Sequence, residues 1–281
     1  MNKSLCMMAL CLAPMLDSGA ATGAEDSMKS APLPHTLLPA SGARAQVHRV
    51  RLFGYLEGKP DNAATLASLK KDVGRCVANL GGNGVATKPV KAWPEYMISL
   101  REDIYAESNR TIAYSYGIGY SLNARDCSLT ETISSRAELV SLRGRCEVDL
   151  LAKTASGECD ARLHAEAPVP PRMDTANPMA KQFAAMGLTP TATGVVKTVL
   201  GVACEVHKQP RQLDDGATLC LGTGGSFPVT LGPYAGLLME SRSRTSYNMT
   251  AREAKLDDKV SAAVFTPWLS AGFHIIKSEQ Q

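Results

Sequence analysis

Six cysteines constrain the fold of this chain more than any other feature of its sequence. They are Cys76, Cys127, Cys146, Cys159, Cys204 and Cys220, and they follow an N-terminal region that carries two more. The chain has no Cys-x-x-Cys spacing, which is typical of redox motifs and zinc modules. An even number of cysteines outside such motifs predicts disulfides, although six thiols allow 15 pairings. We therefore expect a protein that folds in an oxidising compartment.

The N-terminal region has the layout of a secretory signal peptide. Lys3 precedes an apolar run over residues 5–16, and small residues follow. This run is shorter than the ~18 apolar residues that a spanning helix needs. We predict a signal peptide over residues 1–24, with cleavage after Ala20 or Ala24 left open. The mature protein is then periplasmic or secreted, and peripheral to a membrane at most.

Charge and motifs argue against nucleic-acid binding and catalysis. The chain has 30 Lys and Arg against 27 Asp and Glu, a net charge of +3, and no basic run marks a polyanion site. The five histidines have neither metal-ligand spacing nor a hydrolase context. The "GTGGSF" stretch at 222–227 lacks the Gly-x-Ser-x-Gly elbow. We therefore predict a protein that is not an enzyme, with no cofactor, no metal and no nucleic-acid partner.

Two of the three disulfides can be argued from hairpins. Cys204 and Cys220 flank a polar loop at about 209–215, so the two strands beside it would bring their side chains within disulfide range. Cys146 and Cys159 bracket a second predicted hairpin, with turn signals at 155–157 that fit this pair less well. Elimination leaves Cys76 with Cys127.

Periodicity then assigns the elements along the chain. Residues 25–46 contain three prolines and no steady period, which indicates a flexible lead-in. A strand follows near residue 47, and a helix is predicted from a cap at Asp61 to about Leu80 because its apolar residues recur every three or four positions.

The rest of the chain predicts mostly strands. Residues 95–166 are rich in β-branched and aromatic residues, which favours an antiparallel meander. A Pro-rich connection at 167–191 has room for a short helix over 178–186, and strands resume from 193, including one at 227–232. We predict a mainly β (α+β) single domain over 47–281, a curved antiparallel sheet or half-barrel of eight or more strands with a covering helix.

Four tyrosines give the most specific candidate site. Tyr114, Tyr116 and Tyr120 alternate along one predicted strand, with Tyr105 on the strand before it. Alternation places all four on one face of the sheet, and a tyrosine-lined concave face suits an amphipathic ligand. The alternative is that this face packs against the predicted helix at 66–80.

The C-terminal third resembles a known group of proteins. "GVVKTVLGVACEVHK" is similar to a strand–Gly–strand segment of an uncharacterised family of exported bacterial proteins, and "LDDKVSAAVFTPWLSAGFHI" resembles that family's closing pattern, with a longer spacing between Phe265 and Gly272. The family looks like the outer-membrane lipoprotein carrier (LolA/LolB-like) fold group. That resemblance implies an incomplete, strongly curved antiparallel barrel with helices over its open side, and by fold analogy lipid or lipoprotein carriage.

Two functions fit these observations. The first is an exported, non-enzymatic binding protein whose concave sheet takes a hydrophobic or amphipathic ligand, such as a lipid or acyl group. The second is a periplasmic protein-binding partner or inhibitor, for example an immunity or envelope-assembly factor. A cavity of several hundred Å³ favours the ligand, whereas a filled interior with a large exposed patch favours the protein partner.

Overall fold

The computed structural model describes residues 21–39, 42–56, 62–88, 90–170, 190–210, 217–231, 236–243 and 247–276. The prediction of a mainly β fold is confirmed. The strands are β1 (Arg44–Leu56), β2 (Ile98–Ala106), β3 (Arg110–Leu122), β4 (Leu129–Ser141), β5 (Gly144–Asp149), β6 (Thr154–Gly157), β7 (Thr191–Val199), β8 (Val202–Lys208), β9 (Thr218–Gly222), β10 (Leu237–Arg242), β11 (Tyr247–Ser261) and β12 (His274–Ile276). They form one open, curved sheet in the order β12-β6-β5-β4-β3-β2-β1-β11-β10-β9-β8-β7.

The first strand lies in the middle of this sheet. β1 pairs antiparallel with β2 on one side and with β11 on the other. Strands β2 to β6 form the predicted antiparallel meander. Two details differ from the sequence prediction: β12 runs parallel to β6, and residues 227–231, predicted as a strand, are irregular.

Within the described ranges, three α-helices accompany the sheet: α1 (Ala21–Ser30), α2 (Asn62–Gly82) and α3 (Ala161–Ala165). The predicted long helix is α2, which buries Leu69 and Val73 and packs against β3. Its last apolar positions reach solvent, since Val77 is 38% exposed. The cap predicted at Asp61 and the helix predicted over 178–186 lie outside the described residues.

The sheet has a hydrophobic core on each face. Adjacent residues of a strand point to opposite faces, and β2 shows this directly. Tyr105 belongs to a core that covers β1 to β6, whereas Ile104 belongs to a core between β1 and the strands β8 to β10. The C-terminal strands therefore curl over one face of β1, and the other face, here called the tyrosine face, needs a separate cover.

The N-terminal segment and two short 3-10 helices provide that cover. The segment continues from α1 into a 3-10 helix at Pro34–Leu37, and it buries Met28, Leu33 and Pro34. Residues 28–38, predicted to be a flexible lead-in, are thus packed. Prolines that give no periodic signal also suit an irregular chain lying across a sheet. The 3-10 helices Ala262–Phe265 and Pro267–Leu269 cover the adjoining part of the face and bury Phe265 and Trp268.

All three predicted disulfides are present. Cys204–Cys220, Cys146–Cys159 and Cys76–Cys127 have Cα–Cα distances of 5.3, 4.9 and 5.7 Å. Cys204 is registered against Gly222 and Cys220 against Val206, so the first pair joins diagonal positions of its hairpin. The turn expected at 155–157 is wrong: the chain turns at 150–153, which sets Gly157 opposite Cys146 and brings Cys159 within reach.

Three disulfides are typical of proteins from an oxidising, extracellular compartment. Among the described residues, no helix combines the length and apolar character that crossing a bilayer requires. Residues 1–20, which hold most of the predicted signal peptide, lie outside the described part of the chain.

Candidate functional site: a pocket beside His48

A β-bulge in β11 forms the first wall of the candidate site. Val47 pairs with Asp258 and Arg49 with Lys255, so two residues, Leu256 and Asp257, lie opposite His48 alone. Asp257 adopts a left-handed φ of 54° at this bulge. Its backbone N–H then donates to Nδ1 of His48 over 3.0 Å.

The loop after β9 holds the same histidine from the other side. The Phe227 ring stacks on His48 at 3.9 Å between centroids, and Nε2 of His48 lies 2.8 Å from the Phe227 carbonyl. Gly225 has a φ of +82°, and a Cβ there would come within 2.3 Å of the imidazole. The loop can approach this closely because that position is a glycine.

Ser226 fastens the loop to the bulge. Its backbone N–H lies 3.1 Å from both carboxylate oxygens of Asp257, and its hydroxyl donates to the same carboxylate. Hydrogen bonding from the Ser226 hydroxyl is the main cause that lowers the pKa of Asp257. The carboxylate is therefore ionised and the loop is fixed at neutral pH.

Together these elements enclose a pocket of about 460 Å³, here called the His48 pocket. This volume falls within the range of small-molecule sites. Its lining is mostly apolar and glycine-rich: His48, His207, Leu221, Gly222, Thr223, Gly224, Gly225, Ser226, Phe227, Pro228, Val229, Gly236, Leu237 and Leu256. Both nitrogens of His48 already bond to the main chain, so His207, paired with Glu205 at 3.4 Å, is the polar side chain best placed to meet a ligand.

The pocket brings together a serine, a histidine and an aspartate, but not as a catalytic triad. A triad needs the serine hydroxyl to donate to the imidazole and the carboxylate to hold the other ring nitrogen. Here the Ser226 hydroxyl donates to Asp257, and both ring nitrogens of His48 face backbone groups. This arrangement holds a loop in place and does not activate a nucleophile.

A second serine–histidine pair lies elsewhere in the fold. Ser141 Oγ is 2.7 Å from Nδ1 of His164, whose Nε2 is 2.6 Å from the Glu158 carbonyl. His164 is fully buried and Ser141 is 6% exposed. The pair therefore links α3 to the end of β4 and is closed to a substrate.

The four predicted ligand-lining tyrosines do share one face, as alternation predicts, but that face is covered. Tyr105 is fully buried, and Tyr114 is 5% exposed and donates its hydroxyl to the Val264 carbonyl. Tyr116 lies under the Arg101 guanidinium at 5.1 Å, and burial raises the pKa of its phenol to about 12. Tyr120 is partly buried at the end of the row. The predicted ligand surface is thus largely core, packed against the N-terminal segment and a 3-10 helix more than against the helix at 66–80.

The same face carries an ion network that the sequence patterns do not reveal. Arg51 and Arg101 both donate to Asp103, which is completely buried. Arg49 donates to Glu253 and to Asp258. Burial opposes ionisation of Asp258, but hydrogen bonds from Arg49 and Lys255 outweigh it and lower the pKa of this carboxyl to about 2.

Neither the ion network nor the His48 pocket was predicted, and for the same reason. Both depend on contacts between residues far apart in the chain. The pocket and the Arg49 ion pairs need the pairing of β1 with β11, whose partners are about 200 residues apart, and the Arg51–Asp103 pair needs the pairing of β1 with β2. The available signal was the alternation of Arg49 and Arg51 with the apolar Val50 and Leu52, which marks β1 as having one charged and one apolar face.

No protein-family model and no curated protein matches the chain. Among solved structures, the chain is similar to PNGF-II, whose structure was solved in the C2 space group. The two chains have 9% sequence identity and a TM-score of 0.31, and the similarity covers 83% of this chain. The chain spans only 31% of the length of that protein. A likeness of this size carries no argument about fold or function.

Proposed function

We propose that this chain is an exported, non-enzymatic binding protein whose His48 pocket takes a hydrophobic or amphipathic small molecule such as a lipid acyl group. The observation that supports this most directly is the largely apolar lining of the 460 Å³ His48 pocket. A second pocket of about 490 Å³, beside α2, is more open to solvent and has the charged side chains Asp72 and Arg75 in its lining. Leu221, Leu237 and Leu256 would contact the apolar part of the ligand, and His207 its polar end.

The resemblance to lipoprotein carriers fits the same proposal. That resemblance implies an incomplete, strongly curved antiparallel barrel with helices over its open side, and the open, curved sheet with its accompanying helices is compatible with such a barrel. The ligand site proposed here differs from the tyrosine face, because that face is occupied by the chain itself.

The experiment compares a pocket-filling variant with a matched surface variant. Val229 lines the pocket, whereas Val196 is 66% exposed on β7. Palmitate binding to the mature protein is measured by isothermal titration calorimetry, and native mass spectrometry detects lipids that co-purify with it. We expect Val229→Trp to weaken palmitate binding at least tenfold and Val196→Trp to leave it unchanged. Absence of both palmitate binding and co-purifying lipid in the wild type would refute the proposal.

The exposed strand β7 supports the second candidate, a protein-binding partner. β7 is an edge of the sheet, and Val195 and Val196 are 51% and 66% exposed. An exposed edge can accept an added strand from another protein. If this is the function, Val196→Lys abolishes co-purification of one defined envelope protein while Val229→Trp leaves it intact.

A further inference from the structure

The segment Met28–Leu38, here called the strap, lies across the tyrosine face and is joined to the sheet at β1. We propose that the strap is a pH-released cover, closed at neutral pH and released from the sheet when His35 takes up a proton. This inference concerns the face opposite the His48 pocket and is independent of the proposed function.

Arg101 on β2 holds the first part of the strap. Its guanidinium donates to the carbonyls of Met28, Ala31 and Pro32, each over 2.9 Å. The Met28 and Ala31 carbonyls lie at the C-terminal end of α1, where helix carbonyls lack partners and the helix dipole favours a cation.

His35 holds the second part. Its Nδ1 lies 2.9 Å from the hydroxyl of the fully buried Tyr105, and the two rings meet edge to face at 5.6 Å. Burial raises the pKa of Tyr105, so the phenol keeps its proton and donates it to a neutral imidazole. Protonation turns Nδ1 from an acceptor into a donor, so the Tyr105 hydroxyl can no longer donate to it, and a cation enters the partly buried interface.

The groups around His35 decide how costly that cation is. From β1, the Arg49 cation opposes it; from β2 and β11, the carboxylates of Asp103, Glu253 and Asp258 favour it. The 3-10 helix Ala262–Phe265, which packs against the strap, has no titratable side chain. Burial and Arg49 prevail and lower the pKa of His35.

The direction of the pH effect follows from this shift. A group whose pKa is lower in the closed state binds its proton more weakly there than in the open state. The closed strap is therefore fully stabilised above pH ~6.5, the ordinary histidine pKa, and loses that stability as the pH falls below it.

Release of the strap would also let water hydrogen-bond to two buried guanidinium donors that have no partner in the closed form. Among the described residues, Nε of Arg101 and Nη2 of Arg51 are buried without a hydrogen-bond partner. A buried donor without a partner destabilises the closed form, and water reaches such donors once the cover lifts. The closed form therefore has hydrogen bonds from Arg101 and Tyr105 to the strap, but it leaves two buried donors without a partner.

Hydrogen exchange of the mature protein at pH 7.5 and pH 5.0 tests the proposal. The Thr36 and Leu38 amides, which close the 3-10 turn, report on the strap, and the β3 amides of residues 112–116 serve as internal reference. A free peptide of residues 28–38 corrects for the intrinsic effect of pH on exchange. We expect strap protection relative to β3 to fall several-fold at pH 5.0, by about tenfold for each unit of difference in pKa between closed and open strap.

Two matched histidine variants complete the experiment. His35→Gln keeps an acceptor for Tyr105 but cannot titrate, so its strap protection should not respond to pH. His274→Gln alters an exposed histidine on β12 and should respond as the wild type does. Equal relative protection of the wild-type strap at both pH values overturns the proposal, and so does an unchanged pH response in His35→Gln.

Discussion

Two neighbouring acids of β2, the buried Asp103 and the partly buried Glu102, have different surroundings. Asp103 receives hydrogen bonds from Arg51 and Arg101 on the tyrosine face. Glu102 points to the opposite face, and its partner there is the Ser115 hydroxyl at 3.3 Å. Burial raises the pKa of Glu102, and the Ser115 bond opposes this only in part. Folding therefore disfavours the ionised form of Glu102.

Replacing Glu102 by Gln should stabilise the protein at neutral pH. A carboxyl whose pKa is raised by folding contributes most stability below pH ~4.5, its unfolded value, and loses it as the pH rises through the shifted pKa. Glutamine keeps the shape and has no charge to desolvate, so we expect a gain on the order of 1 kcal/mol at pH 7 and none at pH 4. Urea unfolding at both pH values measures this.

The control for that experiment is Glu147→Gln, an exposed acid on β5. It should change the free energy of unfolding by less than about 0.5 kcal/mol at either pH. A Glu102→Gln variant less stable than the wild type at pH 7 would mean that the ionised carboxylate has a stabilising partner.

Two tyrosines of the predicted ligand face should respond differently to loss of the hydroxyl. Tyr114→Phe leaves the buried Val264 carbonyl without its donor, which costs about 1–3 kcal/mol. Tyr120→Phe removes a long, solvent-exposed hydrogen bond of 3.4 Å to Glu131 and should cost less than about 0.5 kcal/mol. Chemical unfolding of both variants checks the difference. Equal effects would contradict the assignment of Tyr114 to the core.

At the scale of elements, the sequence predicted the helices and strands whose patterns involve residues close together in the chain. The apolar stripe of α2 and the alternation in β3 depend on residues close together in the chain, and both elements were found. The turn of the β5–β6 hairpin was misplaced by a few residues, because Ala155–Gly157 carry turn-forming residues yet lie in β6. Strand pairing outweighed local turn preference there.

The candidate site could not be predicted from neighbouring residues, because it too is formed by contacts between distant parts of the chain. Its loop, "GTGGSF", lacks the Gly-x-Ser-x-Gly spacing of a catalytic motif, and nothing in these six residues indicates that His48 lies against them. The loop contacts a bulge in β11 and a residue of β1, and the spacing of residues in one strand cannot specify contacts of that range.

The adjacent glycines of this loop allow a matched test. Both Gly224→Ala and Gly225→Ala force a left-handed φ on alanine, which costs about 1–2 kcal/mol. Only at residue 225 would the new methyl group also meet the His48 ring, whereas at residue 224 its nearest neighbour is Leu256 at 3.6 Å. We expect Gly225→Ala to lower the melting temperature more than Gly224→Ala and to weaken binding in the pocket. Equal melting temperatures would show that the loop does not press on His48.

At the scale of the whole molecule, two cores on opposite faces share the central strands. Val47 packs in one core and Val50 in the other. Separation of β1 from the sheet would therefore disrupt both cores. The edges are different: β7 is exposed along nearly its whole length, and so is the three-residue β12. Stability should therefore decrease from the centre of the sheet to its edges.

Hydrogen exchange of the wild type should display that gradient. We expect the amides of β1 and β2 to exchange only on global unfolding, and those of β7 and β12 at least a hundredfold faster, since outer-edge groups have no pairing partner in the sheet. Mass spectrometry of peptides at pH 7 resolves the two classes. Protection of β7 equal to that of β1 in a monomeric sample would contradict an open edge.

The central place of β1 also has a consequence for how the chain is made. β1 can pair with β2 once about fifty residues have been added after it, but its other neighbour, β11, is complete only about two hundred residues after β1. Pairing across such a distance forms slowly, because a long loop must close first. Until β11 has been made, one side of the strand that joins both cores stays open to wrong partners. Mispairing of β1 is therefore most to be expected in the period before that last long strand arrives.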